Sequence, residues 1–328
     1  MKLNIAILAG GDSSESVISL QSAEQVRKLI KHDFNTFTVY VKGSDWTVTS
    51  DEFCDTIVNK DDFSFKYNNQ KIKFDFALIA IHGTPGEDGK LQAYFELLEI
   101  PYSTPDSLIS AISFNKYYCK AVLEYEGINS AKAYMLRAND KIDIEAIINK
   151  TQLPCFVKPN AGGSSFGISK VKSKNDLLPA IKKAFAEDNE VMIEQFVDGT
   201  EVTCGCYEHS KGLQVLQPTE IISENDFFDY EAKYEGKSTE ITPARIDKEI
   251  TEKVQNRTKE IYKILNCKGV VRIDYIIENS EPVFIEINTV PGMSSESIIP
   301  QQLKEQGIEI KQMYNQIIEF IISKSKKS

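Results

Sequence analysis

No run of apolar residues in this sequence approaches the length of a membrane span. Its opening apolar stretch, Leu3 to Leu8, meets Gly10-Gly11 and is too short for a signal-peptide core. Basic residues are in deficit, with 38 Lys and Arg against 48 Asp and Glu, a net charge of -10. Neither nucleic acid nor an anionic membrane surface is therefore expected as the main partner. The six cysteines (Cys54, Cys119, Cys155, Cys204, Cys206, Cys267) are scattered, and no His or Cys cluster completes a zinc site. Only Cys204 and Cys206 stand close, sharing one face of an expected strand. Reduced core thiols and a cytoplasmic location are the expectation. No internal repeat or low-complexity tract stands out.

What remains is an ordinary globular composition, 41% apolar and 26% charged over 328 residues. That suggests about two domains, or three small ones. Strands alternate with helices from residue 1 to about 105, which predicts a parallel α/β domain. It opens on strand LNIAILA, the turn GGDSSES and a helix from about Ser16 to Lys31. Strand, Gly-rich turn and helix form a ligand-binding edge, although no G-x-G-x-x-G is present. Glu15 at the helix mouth reads, by itself, as an acid favoured by the helix dipole. Residues 44 to 73 are polar and poorly patterned, and read as a hairpin excursion. The apolar strand Phe74 to Ile81 runs into HGTPGEDG, a functional loop by its glycines and by His82, Glu87 and Asp88.

Chemistry concentrates in residues 270 to 297, VVRIDYIIENSEPVFIEINTVPGMSSES. Two strands, Val270 to Ile277 and Val283 to Ile287, flank a turn. Glu286 and Asn288 are two apart and face one side; a hairpin brings Asp274 near them. Two carboxylates and an amide oxygen make a hard site suited to Mg²⁺ or Mn²⁺ held partly by phosphates. Arg272 points the same way, a fixed cation for an anionic transition state. Pro291-Gly292 allow a sharp turn with backbone N–H groups toward a ligand. The competing reading is a solvated edge hairpin. Asp and Arg inside an apolar strand count against it.

Residues 106 to 127 read as helix, with Asp106 as its cap and Lys116 inside FNKYY. The strand Pro154 to Lys158 leads into NAGGSSFGISKV. Its small residues suit a loop that folds over phosphates, though it is no Walker loop. Val191 to Val197 is a strand whose EQFV segment resembles an adenine-pairing connection between lobes. Residues 224 to 244 form a long aromatic loop that suits a lid.

Together these pieces resemble the D-alanine–D-alanine ligases of the ATP-grasp superfamily. Seven motifs carry the resemblance, in order and across nearly the whole chain: GGDSSES, HGTPGEDG, VKPNAGGSSFG, EQFVDGTEVT, FDYEAKY, RID and EINTVPGMSSES. The resemblance implies an ATP-grasp fold, α/β and α+β, with an N-terminal parallel α/β domain. Its expected parts are residues 1–105, a central lobe 106–197 and a C-terminal lobe 198–328. The implied reaction converts ATP and two D-alanines to D-alanyl-D-alanine, ADP and phosphate through a D-alanyl phosphate, for peptidoglycan precursors.

The resemblance also implies roles. Lys116, Lys158 and Ser165 would hold ATP phosphates, and Glu194, Val197 and Glu201 the adenosine. Asp274, Glu286 and Asn288 would hold two Mg²⁺ or Mn²⁺ ions. Arg272 and the Gly292 N–H would stabilise the tetrahedral species. Glu15 becomes the acid for the first substrate's ammonium, with Ser164 and Tyr234 as its partners and His82 as a further contact. Lys233 and Ser297 would hold the second D-alanine's carboxylate. A homodimer is also implied. The sequence departs from the commoner pattern at Val17, Gln195, Val290 and Glu296, and Glu296 is nearest the second-substrate site. Rival readings are a D-alanine–D-lactate or D-alanine–D-serine ligase, another ATP-grasp carboxylate–amine ligase, and a nucleotide-binding regulatory module without catalysis.

Overall fold

The computed structural model describes residues 2–52, 55–162, 167–223 and 238–325. Strand β1 (Asn4–Gly10) is buried along nearly its whole length. Helix α1 (Ser16–Ile30) turns Ser19, Ser22, Ala23, Val26 and Ile30 inward, the spacing of one helical face. Its Ser19 hydroxyl accepts from the Gly10 N–H (3.0 Å) and donates to the Ala80 carbonyl (2.7 Å), fixing the helix mouth over two strand ends.

Strand β2 (Asn35–Lys42) pairs with β1 in parallel. The segment expected as a hairpin excursion instead forms four strands, β3 (Asp45–Thr49), β4 (Thr56–Asn59), β5 (Ser64–Tyr67) and β6 (Gln70–Lys73). They extend the sheet from β2 in antiparallel fashion. Strand β7 (Phe76–Ile79) returns to the far side of β1 in parallel. The first sheet is therefore mixed, not wholly parallel, in the order β6-β5-β4-β3-β2-β1-β7. The strands between 45 and 73 are short, and each contributes only one or two core residues, such as Val48, Val58 and Phe65. Alternation over so few positions gives little sequence signal. The core there closes around aromatic pairs, including Phe63–Phe74 at 4.7 Å and Phe63–Phe95 at 4.9 Å.

Helix α2 (Lys90–Leu97) leads to α3 (Ser107–Phe114) and α4 (Lys116–Tyr125). The single helix expected over 106–127 is broken at Asn115, whose backbone is extended and whose side chain accepts from the Tyr118 N–H at 3.0 Å. A side chain that caps a new helix competes with continuing the old one. Asp106 caps α3 as expected, accepting from Ile109 N at 2.9 Å.

The second sheet is built from β8 (Ala133–Arg137), β9 (Cys155–Pro159), β10 (Ser169–Val171) and β11 (Glu190–Gln195), antiparallel in the order β10-β9-β11-β8. Helices α5 (Ile144–Thr151) and α6 (Lys174–Ala184) share its core.

The third sheet holds β12 (Thr200–His209), β13 (Gly212–Val215), β14 (Thr219–Ser223), β15 (Ser238–Ile241), β16 (Val270–Glu278) and β17 (Glu281–Asn288). Its order is β15-β14-β12-β16-β17, with β13 paired to β12. The end of the expected lid, 224 to 244, is thus a strand; residues 224–237 lie outside the described residues. Helices α7 (Lys248–Ile264), α8 (Ile298–Glu305) and α9 (Ile310–Ser325) complete this part. Cys204 and Cys206 share a face as expected, and both are buried free thiols in the core with α7. Gly205 faces the other way. A Cβ there would stand 2.3 Å from Ile299 and 2.7 Å from Gln302, so its absence lets α8 dock directly on β12.

Candidate active site

Strands β16 and β17 are joined by Asn279 and Ser280, both at positive φ (51° and 63°), a two-residue turn whose twist suits a hairpin. The register sets Asp274 opposite Glu286 and Arg272 opposite Asn288, and slips after Asp274. The expected constellation therefore sits on one hairpin end. Arg272 donates from Nε to Asp274 Oδ1 at 3.0 Å and from Nη2 to Oδ2 at 2.9 Å. Thr203 on the neighbouring β12 donates its hydroxyl to the same carboxylate. Asn288 Oδ1 accepts from the Val290 N–H at 3.0 Å, which starts the turn into Pro291-Gly292.

Among the described residues no group of three or more His, Cys, Asp or Glu is placed to hold a metal ion. The donors here are two carboxylates and one amide, all oxygen. Such a set fits a hard divalent cation that takes the rest of its shell from phosphate and water.

Helix α4 brings two lysines to this hairpin, one turn apart. Lys116 donates to the Gly162 carbonyl at 2.7 Å and lies 3.6 Å from Glu286. The start of the helix is pinned to the end of β9, because Lys116 N donates to Asn160 O (3.2 Å) and Tyr117 N to Asn160 Oδ1 (2.9 Å). Lys120 is 2% exposed. Its ammonium is 2.6 Å from Glu194 Oε1 and donates to the Phe284 carbonyl of β17 at 3.2 Å. Lys158 on β9 donates to the other oxygen, Glu194 Oε2, at 2.6 Å. Burial alone would raise the Glu194 carboxyl, but the two lysines hold it below its usual range. Val197 lies just past β11, and Glu201 lies in β12 opposite Ile276 of β16. The EQFV segment does connect the second and third sheets.

From the first sheet come Glu15, His82 and Glu87. Ser13 ties the first two: its hydroxyl accepts from the Glu15 N–H (3.2 Å) and donates to the His82 carbonyl (2.8 Å). Glu15 sits at the cap position of α1 without a side-chain cap bond, and it faces the cavity. Burial lowers the His82 pKa, Arg272 adds to this, and Glu15 and the Val290 backbone oppose it. Glu87 accepts from the Gly83 N–H at 2.7 Å; burial pushes its carboxyl up to about 8.

These groups line one cavity of about 340 Å³, together with Lys116, Glu240, Gly292, Glu296 and Ser297. At Gly292 a Cβ would stand 2.9 Å from Ser297 Oγ, so the turn passes close to the start of α8. Ser297 and Ser294 share a hydrogen bond of 2.8 Å.

The chain matches the family described as D-ala D-ala ligase N-terminus over residues 4–105 and D-ala D-ala ligase C-terminus over residues 121–319. It is 52% identical to a D-alanine--D-alanine ligase of Phocaeicola vulgatus, covering 97% of this chain and 99% of the relative. The chain belongs to the D-alanine–D-alanine ligase family. A ligase of the same name from Parabacteroides distasonis is 51% identical, with 97% of each chain covered. Among solved structures, D-alanyl-alanine synthetase A from Vibrio cholerae superposes with a TM-score of 0.87 at 27% identity, covering 98% of this chain and 99% of that one. VanG D-Ala:D-Ser ligase from Enterococcus faecalis gives 0.85 at 33% identity, covering 97% and 99%. These neighbours carry the expected fold class, the ATP-grasp fold.

Of the residues the family resemblance assigned, Glu15, His82, Lys116, Arg272, Glu286, Asn288, Gly292 and Ser297 come together around the cavity. Asp274 joins them through Arg272. Lys158 and Glu194 lie against each other. Ser164, Ser165, Lys233 and Tyr234 lie outside the described residues. The sequence reading gave no role to Lys120 or Glu240 and none in particular to Glu87. The signal for Lys120 was its spacing, four residues after Lys116 on a helix.

Proposed function

We propose that this chain joins two D-alanines into D-alanyl-D-alanine with conversion of ATP to ADP and phosphate, for peptidoglycan precursor synthesis. The observation that carries this is the grouping of Arg272, Glu286, Asn288, Gly292 and Ser297 with Glu15 and His82 around one cavity, in a chain of this family.

In this reading Glu15 binds the ammonium of the first D-alanine, with Ser164 and Tyr234 as its partners and His82 as a further contact. Held this way, the carboxylate of that D-alanine attacks the γ-phosphorus. A new O–P bond forms, the bond to the β-phosphate oxygen breaks, and ADP leaves. Lys116, Lys158 and Ser165 hold the phosphates, while Glu194, Val197 and Glu201 hold the adenosine. Two Mg²⁺ or Mn²⁺ ions, held by Asp274, Glu286 and Asn288, would neutralise charge on the transferring phosphoryl group.

Lys233 and Ser297 orient the second D-alanine by its carboxylate. Its free amine attacks the acyl carbon, and the C–O bond to phosphate then breaks. Arg272 and the Gly292 N–H stabilise the oxyanion between these events. Residues 224–244 serve as the lid that keeps water from the acyl phosphate. The three-lobe division at 1–105, 106–197 and 198–328 is the frame, with the nucleotide between the last two lobes. A cytoplasmic homodimer completes the reading. No helix among the described residues is long and apolar enough to cross a membrane.

The test is phosphate release with ATP, Mg²⁺ and D-alanine, with mass detection of the product. L-alanine, and D-alanine mixed with D-lactate or D-serine, are run beside it. Phosphate together with D-alanyl-D-alanine, from the D-isomer alone, is expected. A mixed ester or a D-serine dipeptide as main product would reassign the second subsite. No D-alanine-dependent phosphate from folded protein would remove the function.

A further inference from the structure

Lys120, Glu194 and Lys158 place two cations on one carboxylate, and all three side chains are buried. Lys120 is 2% exposed, Glu194 3% and Lys158 6%. Each lysine takes its own oxygen at 2.6 Å. The group carries one net positive charge in a poorly solvated place, which is costly unless an anion arrives to balance it. The two lysines are not equivalent. Lys120 is held from a second side by the Phe284 carbonyl at 3.2 Å, and its ammonium lies 5.6 Å from the centre of the Phe284 ring. Lys158 has Glu194 as its hydrogen-bond acceptor and stands on β9 two residues before the Asn160–Gly162 segment that meets Lys116.

We propose that Lys120 is a positioning residue for ATP: it stays with Glu194 so that Lys158 can leave that carboxylate for the nucleotide's phosphates. This rests on the reading of Lys158 as a phosphate ligand. The charge count explains why a second lysine is needed. With Lys120 in place, the transfer of Lys158 leaves a neutral Lys120–Glu194 pair behind. Without Lys120, the same transfer strands a buried carboxylate, and a buried charge that loses its only partner is strongly unfavourable. Glu194 would then hold Lys158 back. Lys120 thus acts through Lys158 and touches no reacting atom. Because it also bonds to the Phe284 carbonyl on β17, two residues from Glu286, it ties this charge balance to the strand that carries the proposed metal donors.

The experiment uses the full chain and measures dissociation constants of ATP and of adenosine by calorimetry. The adenosine constant divided by the ATP constant reports the phosphate contribution, and contacts to the adenosine cancel. Lys120→Met is expected to lower that ratio roughly 10- to 100-fold, through weaker ATP binding alone. Lys120→Met with Glu194→Gln removes the competing carboxylate and is expected to restore the ratio to within about threefold. Lys120→Arg keeps the cation and guards against a packing defect; it is expected to hold the ratio within about fivefold of wild type.

Equal loss of ATP and adenosine binding in Lys120→Met would overturn the proposal, since Lys120 would then only shape the adenosine pocket. An unchanged ratio in that variant would also overturn it. So would failure of the double variant to recover. Lys158→Met tests the reading beneath it separately: the ratio should collapse, and an unchanged ratio there would remove Lys158 from the phosphates whatever Lys120 does.

Discussion

Arg272 grips Asp274 from two residues away on the same strand, through two parallel hydrogen bonds of 3.0 and 2.9 Å. The pair fixes the guanidinium at the cavity wall, and the Thr203 hydroxyl on β12 holds the same carboxylate. A lysine could keep the charge but not the fork. Arg272→Lys is expected to lower kcat about 100-fold or more, the scale for loss of an oriented oxyanion donor. The check is steady-state phosphate release beside a thermal melt. A folded variant with kcat within a few-fold of wild type would remove Arg272 from the transition state.

Glu286 faces the cavity beside Lys116, 3.6 Å away. Glu286→Gln keeps the shape and removes one negative charge from the proposed metal donors. Turnover should be lost almost entirely while the far-ultraviolet circular dichroism spectrum and melting temperature stay close to wild type. Near-normal phosphate release by the folded variant would sink the metal assignment.

Glu87 gives a pH signature. Its carboxyl is raised from its usual 4.5 to about 8, so the folded chain binds more protons there than the unfolded chain across that window. Stability contributed at this position therefore falls as pH rises from about 4.5 through about 8. Glu87→Gln stays neutral throughout. Its melting temperature should decline less than that of wild type between about pH 6 and pH 9. Parallel melting curves across that range would show that Glu87 is ionised in both states.

Gly205 tests the docking of α8. Gly205→Ala would push a methyl group against Ile299 and Gln302, which lie within 2.3 and 2.7 Å of the new atom. Gln302 also accepts from the Gly205 N–H at 3.0 Å and donates to the Thr203 carbonyl at 2.9 Å, so it has little room to move. Overpacking of this kind costs roughly 1–3 kcal/mol. Chemical denaturation measures it. A larger Michaelis constant for the second D-alanine is expected as well, because α8 begins beside Ser297. Unchanged stability would mean that α8 shifts freely on β12.

The hairpin was legible in advance because its signal is local. Apolar alternation sets the two strands, and polar residues interrupt it at positions that a two-residue turn brings opposite one another, Asp274 to Glu286 and Arg272 to Asn288. The same locality failed over 44 to 73, where four short strands each bury too little to show a period. It failed again at Asn115, where a cap bond to Tyr118 splits a stretch whose composition suits one helix.

The sequence by itself determined the motif order, the residue types of the site and the family those motifs resemble. It did so because pleat and turn chemistry act over a few residues. Only the tertiary structure decided the partners of charges far apart in the chain. Lys120 reads as one more helix lysine until β11 and β17 close around it with Glu194 and the Phe284 carbonyl. Glu87 reads as a loop acid until burial behind the Gly83 N–H raises its carboxyl. Burial and charge pairing depend on what other segments bring to the same place, and a one-dimensional pattern does not carry that.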